Sequence, residues 1–122
     1  MNANQMKSRT KTFSIAILDL VDKLPQSIAG KVIANQVVRS GTSVAANYRA
    51  ACRARSDREF LSKMNIVLEE SDETEFWLEL IHAKRWIDED LINHLSNEAN
   101  QLTSIFVSSI KTVNHRLGQS KI

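Results

Sequence analysis

The sequence predicts an all-α protein, an antiparallel up-down-up-down four-helix bundle formed as one domain over residues 1–122. Three observations predict it. Glycine and proline are scarce, with 3 and 1 among 122 residues, whereas sandwiches and barrels need turn signals about every 8–12 residues. Apolar residues make up 43% of the chain, enough for one core and too many for intrinsic disorder. They recur with helical spacing in four long stretches separated by short corners, and short corners force sequence neighbours to pack antiparallel.

The first helix is expected over 10–24, where Phe13, Ala16, Ile17, Leu20 and Leu24 form one stripe. Ile15, Leu18 and Val21 lie off that stripe and widen the apolar surface, the pattern of a helix with more than one neighbour. Pro25 ends the helix, because the residue before a proline is pushed out of the α region. Ser27 is a good N-cap for a second helix over 27–54, with the register Ile33, Val37, Gly41, Val44, Tyr48, Ala51. Its middle, Ser40 to Ala46, is rich in small residues. A glycine inside a helix costs about 0.5–1 kcal/mol relative to alanine. Gly41 therefore predicts either the close approach of another helix or a break into two shorter ones; one long helix is the expectation.

The third helix, 57–85, opens on Ser56 and Glu59, which have the spacing of a capping box. Phe60, Met64, Val67, Ser71, Thr74, Leu78 and Ile81 make a heptad seam along it. Glu69, Glu70, Asp72, Glu73, Glu75 and Glu79 occupy the rest of its surface. Asp88, Glu89 and Asp90 suit the positive N-terminal end of a fourth helix over 88–117. Its seam reads Leu91, Leu95, Ala99, Leu102, Phe106, Ser109 or Ile110, Val113 and Leu117. Gly118 is expected as the C′ residue, and 119–122 as a frayed tail.

No N-terminal apolar run resembles a signal peptide, and the apolar stretches fall far short of the roughly 20 residues of a membrane span. The expectation is a cytoplasmic protein without membrane contact. The net charge of +2 hides a segregation: residues 1–58 sum to +7, residues 59–98 to −8 and the remainder to +3. Such runs are either solvated helix faces or basic and acidic segments that face each other, within a subunit or between subunits.

Catalytic constellations are missing from the pattern. His82, His94 and His115 stand alone, outside any Glu-x-x-His or His-Glu-x-x-His arrangement. One cysteine, Cys52, can form neither an intramolecular disulfide nor a Cys/His zinc set. Nearby arginines could lower its thiol pKa, but it continues the Tyr48–Ala51 face and reads as core. No glycine-rich phosphate loop or nucleophile elbow is present. The acidic residues of the third helix read as solvated or arginine-paired, since a metal site in a bundle needs carboxylates from several helices. The reading is therefore a non-enzyme with no cofactor, no metal and no evident small-molecule substrate. What remains is a basic surface: Arg49, Arg53 and Arg55, with Arg39 earlier on the same helix, Arg58 beyond the corner and Tyr48 beside them. These arginines suit phosphate contacts to RNA or DNA, with salt-dependent affinity. They equally suit pairing with the acidic third helix of the same or a neighbouring chain.

The run Val37-Val38-Arg39-Ser40-Gly41-Thr42-Ser43-Val44-Ala45-Ala46-Asn47-Tyr48-Arg49-Ala50-Ala51, continued by Arg53-Ala54-Arg55-Ser56-Asp57-Arg58-Glu59-Phe60 and by Asn65 to Leu80, resembles the four-helix bundle family named for the 23S ribosomal RNA intervening-sequence protein. The resemblance spans about residues 10–115. It implies an antiparallel bundle that associates into a ring-shaped homopentamer, in a family whose members are partly encoded within ribosomal RNA gene insertions. A related bundle, the accessory variability protein of diversity-generating retroelements, is a basic pentamer that binds nucleic acid and a reverse transcriptase. The family's signature positions fall here on Arg39, Ser43, Asn47, Glu59, Phe60, Glu73 and Glu75. The resemblance suggests Asn47 as a bridge between two helices and a buried pair of Arg39 with Glu73 or Glu75. Arg49-Ala50-Ala51 stands where many members carry Ala-Glu-Gly, which places the chain in a more basic branch.

Overall fold

Each helix begins where a short polar side chain can take up backbone N–H groups that a first turn leaves unpaired. The computed structural model describes residues 1–120 and places them in α1 (Ala3–Val21), α2 (Ile28–Cys52), α3 (Asp57–Lys84) and α4 (Glu89–Ser120). Asn2 caps α1 reciprocally: its side chain accepts from the Gln5 N–H at 2.8 Å, and the Gln5 side chain accepts from the Asn2 N–H at 2.9 Å. The first helix thus starts seven residues before the Thr10 expected from the apolar stripe, and Met6 and Thr10 join the buried face. Ser27 caps α2 at Gly30 and Ser56 caps α3 at Glu59. The second half of a capping box does not form at Ser56, since the Glu59 carboxylate lies 3.6 Å from Arg55 instead. Asp88 accepts from the Leu91 N–H at the head of α4. The α3–α4 corner turns on Arg85, a non-glycine residue in the left-handed region at φ 56°, whose N–H closes on the His82 carbonyl.

Neighbouring helices pack α1 on α2, α2 on α3, α3 on α4 and α4 back on α1. The cross-helix pairs fix the directions. Ser14 reaches Gly41, Ser40 reaches Thr74, Ser71 reaches Thr103, and Asp57 at the head of α3 meets Arg116 near the tail of α4. From Asp57 through Ser71 to Glu75 the α4 partners step back from Arg116 through Thr103 to Asn100. The start of α1 lies by the end of α2 (Lys7 and Arg53) while its end lies by the start of α2 (Val21 and Gly30), so the chain runs up, down, up and down around one core. That core stacks Ile17, Leu20, Val37, Val44, Met64, Val67, Leu78, Ile81, Leu102 and Phe106, all essentially without solvent exposure. On α4 the first buried position is Ile92, with Leu91 half-buried. Two adjacent apolar residues are equivalent to a periodicity, and packing chooses between them. Gly118 does not end α4, which continues to Ser120, so the first two residues of the tail expected at 119–122 are helical; 121–122 lie outside the described residues.

α2 is continuous through its small-residue middle. A Cβ on Gly41 would sit 3.0 Å from both γ carbons of Ile17, so the glycine marks the close approach of α1. Next to it the Ser14 hydroxyl donates to the Gly41 carbonyl at 2.8 Å. On the α3 side of the same helix, Ser40 and Thr74, both at 0% exposure, lie 2.9 Å apart, oxygen to oxygen. Thr74 has a second partner, the Glu70 carbonyl at 2.7 Å, whereas Ser40 has only a long 3.5 Å contact to the Val37 carbonyl. Removing the Thr74 hydroxyl leaves Ser40 poorly paired in the core, which costs about 1–3 kcal/mol, whereas removing both is close to neutral. Thr74→Val is therefore expected to lower the melting temperature, and the Thr74→Val/Ser40→Ala pair to recover most of the loss; a double-mutant cycle by thermal denaturation checks it.

Candidate functional site

The residues singled out in the sequence divide into three groups. The first is spent inside the bundle. Arg39 pairs with Glu70 at 3.1 Å and with Glu73, while the Trp77 indole also donates to Glu73. The Arg39 guanidinium, and then the indole N–H, hold the Glu73 carboxyl below its ordinary range. This set is not buried, because the Arg39 side chain is 49% exposed. Glu75 pairs elsewhere, accepting from Thr103 at 2.8 Å and from Asn100 on α4. Asn47 does not bridge helices: its amide donates to the Ser43 carbonyl one turn back in α2, which turns the amide onto its own helix. Tyr48 does not line a surface with Arg49 and Arg53. It is buried, with its ring 6.0 Å from that of Phe106, and burial, followed by a hydrogen bond with Cys52, raises its pKa.

The second group collects at the end of the bundle where α2 stops. Tyr48, Cys52, Arg55, Phe60, Val113 and Arg116 line a recess of about 520 Å³. Cys52 is half-buried there. Arg116 grips Asp57 through two hydrogen bonds of 2.9 Å and holds its carboxyl low. Arg55 extends into solvent toward Glu59, and Arg58 is exposed on the first turn of α3.

The third group is a groove of about 380 Å³ along the α1–α2 boundary, lined by Lys7, Ser8, Lys11, Ala45, Ala46, Arg49 and Arg53. Four cations and no carboxylate line it. Among the described residues none of the four makes an ion pair. The other long cation of α1, Arg9, points away and is held by Glu98 at 2.7 Å and Gln101 at 2.8 Å on α4. Antiparallel packing explains the gathering: the first third of α1 lies beside the last third of α2. Arg49 and Arg53 came out of the sequence; Lys7 and Lys11 did not, and Arg55 and Arg58 do not line the groove.

The charge asymmetry extends to the whole bundle. Cutting it at the level of the Ser14–Gly41 and Ser71–Thr103 bonds, the half made of residues 1–12, 42–71 and 103–120 holds ten Lys/Arg and four Asp/Glu. The half made of 13–41 and 72–102 holds five and ten. The segregation seen along the sequence is thus a polarity along the bundle axis, and the groove lies in the basic half.

No His, Cys, Asp or Glu lines the groove, and among the described residues no three such side chains are placed to hold a metal ion. Among the described residues no helix is long and apolar enough to cross a membrane. What the groove can do is attract and hold negative charge.

The family model described as 23S rRNA-intervening sequence protein matches residues 2–108. The chain is also similar to the crystal structure of a protein of unknown function from the S23 ribosomal protein family of Bacteroides thetaiotaomicron VPI-5482, with 34% identity and a TM-score of 0.80. That match covers 86% of this chain and 97% of the other. No curated protein matches.

Proposed function

The chain belongs to the 23S rRNA-intervening sequence protein family, and from that premise we propose that it is a homo-oligomeric, non-enzymatic bundle that binds RNA or DNA through the α1–α2 groove. The observation that carries this reading is the pairing inside the groove. Lys7 and Lys11, and Arg49 and Arg53, are like-charged neighbours at i and i+4. Such pairs destabilise their helices by a few tenths of a kcal/mol each. Arg49 and Arg53 recover part of this from the α2 C-terminal dipole; Lys7 and Lys11, near the start of α1, recover nothing. The fold gains no stability from the set, and a polyanion would.

Fluorescence anisotropy with structured RNA and DNA across a salt series tests the reading. Four phosphate contacts predict that the logarithm of the association constant falls with the logarithm of salt at a slope of about −3 to −4. Binding no tighter than that of a neutral protein of equal size at low salt would sink the proposal. Assembly into a ring of five is part of the same reading; it is supported by the family resemblance and by large apolar side chains on the outer faces, Ile15 and Leu18 on α1 and Phe76 on α3, at 44–49% exposure.

A second reading has one specific observation in its favour. Glu69, Asp72 and Glu79 are exposed and share a helix face with Phe76. An acidic, partly apolar face of this kind on a neighbouring copy could occupy the basic groove, which would make the protein a pure interaction scaffold.

A further inference from the structure

We infer that the groove holds the sugar–phosphate backbone of a single strand and reads no bases; this rests on the nucleic-acid reading above. The lining itself carries the argument. Recognition of unpaired bases needs flat side chains on which they stack, or amides that pair with their edges. The groove has no aromatic ring and no amide: between its four cations stand only Ala45, Ala46 and Ser8, and its only flat groups, the Arg49 and Arg53 guanidiniums, stack on any base alike. The aromatic rings lie elsewhere, with Phe13, Tyr48 and Phe106 in the core, Phe60 at the recess by the end of α2, Phe76 and Trp77 on α3, and Trp86 at the α3–α4 corner. No aromatic platform borders the cations.

The shape favours a single strand over a duplex. A protein reads double-stranded DNA with an element that projects into a groove of the nucleic acid. Here the cations line a recess on the protein between two helices, whose axes lie about 8–10 Å apart as in ordinary helix packing. A recess of about 380 Å³ takes one backbone passing along it. Each helix offers two cations four residues apart, a rise of about 6 Å, so two rows of charge flank whatever lies between them. Lys and Arg in such rows neutralise successive phosphates without regard to the base attached to each.

The test uses the full chain and labelled 20-nucleotide probes of dT, dA, rU and mixed sequence, plus a 20-base-pair duplex, with long-chain inorganic polyphosphate as competitor. The expected result is affinities for the single strands within about threefold of one another, weaker duplex binding, and displacement of every strand by polyphosphate at comparable phosphate concentration. Lys7→Gln and Arg49→Gln are expected to weaken all single-strand probes by a common factor. A tenfold preference for one base composition, tighter binding of the duplex, or strands that resist excess polyphosphate would overturn the inference and leave the proposed function standing. Failure to bind any strand would overturn both.

Discussion

Gly30→Ala is expected to destabilise the protein by about 2 kcal/mol, as overpacking does, and so to lower the melting temperature by about 8 °C for a domain of this size. Propensity alone predicts the opposite sign, since alanine is favoured over glycine in a helix interior by about 1 kcal/mol. The reason is the turn between α1 and α2. A Cβ on Gly30 would stand 2.0 Å from the Pro25 carbonyl oxygen and 2.9 Å from its carbon. Both are backbone atoms of the corner and cannot swing aside as a side-chain end could. The φ of Gly30 is ordinary for a helix, because no glycine here has positive φ, so space alone decides. The other two glycines complete a graded series. At Gly41 the new methyl would meet the γ carbons of Ile17 at 3.0 Å, and Ile17 is fully buried. A loss of about 1 kcal/mol is expected there, as for mild overpacking. At Gly118 nothing lies within 4 Å, and alanine should be neutral or slightly stabilising. Thermal melts of the three variants at one protein concentration should rank Gly118→Ala highest and Gly30→Ala lowest. A Gly30→Ala protein as stable as the parent would mean that the corner does not close on Pro25 as described.

That series also separates what a sequence can reveal from what it cannot. Gly41 was legible because its neighbours are small and its register continues the helix, so a close helix approach was the physical expectation. Gly30 was not, because the atom it meets belongs to a corner whose path only folding defines. The α3 seam from Met64 to Ile81 was legible throughout, heptad spacing being unambiguous over that length. The start of α1 was hidden: Asn2 and Gln5 cap each other, and a polar, basic stretch with one buried methionine and one buried threonine carries almost no apolar signal. The groove was half legible. Arg49 and Arg53 stand one turn apart and can be read from spacing. Lys7 and Lys11 are some forty residues away in the chain and reach them only by antiparallel packing. The missing signal was register. Ser14 lies beside Gly41, so counting back along α1 while counting forward along α2 brings Lys7 level with Tyr48 and Lys11 level with Val44. The same count separates out Arg55, in the corner after α2 has ended, and Arg58, on α3 beyond it. Asn47 shows a different limit. An amide within reach of its own helix carbonyl forms that local bond, and no pattern of residue types announces which partner wins.

Reversing charge at Lys11 and Arg53 together is the substitution with the largest expected effect on binding. Lys11→Glu/Arg53→Glu removes two of four cationic contacts, one from each wall of the groove. With counterion release of about 0.7–0.9 per contact, that loss alone weakens strand binding about a hundredfold at 50 mM salt and flattens the salt slope by roughly 2. Repulsion by the new carboxylates adds to it. The bundle itself should tolerate the change. Both residues are exposed, neither makes an ion pair among the described residues, and two repulsive i,i+4 pairs disappear, so the melting temperature should fall by no more than about 2 °C. Arg55→Glu/Arg58→Glu changes the charge by the same amount outside the groove, and its affinity should stay within about threefold of the parent's, a small part of the expected hundredfold loss. Light scattering on the same proteins separates the two readings of the groove. If nucleic acid is the ligand, the Lys11→Glu/Arg53→Glu protein keeps the parent's assembled mass and loses only the strand. If the acidic α3 face of a neighbouring copy fills the groove, the substitution places carboxylates against Glu69, Asp72 and Glu79. The assembly then falls to the 13.8 kDa protomer before any nucleic acid is added.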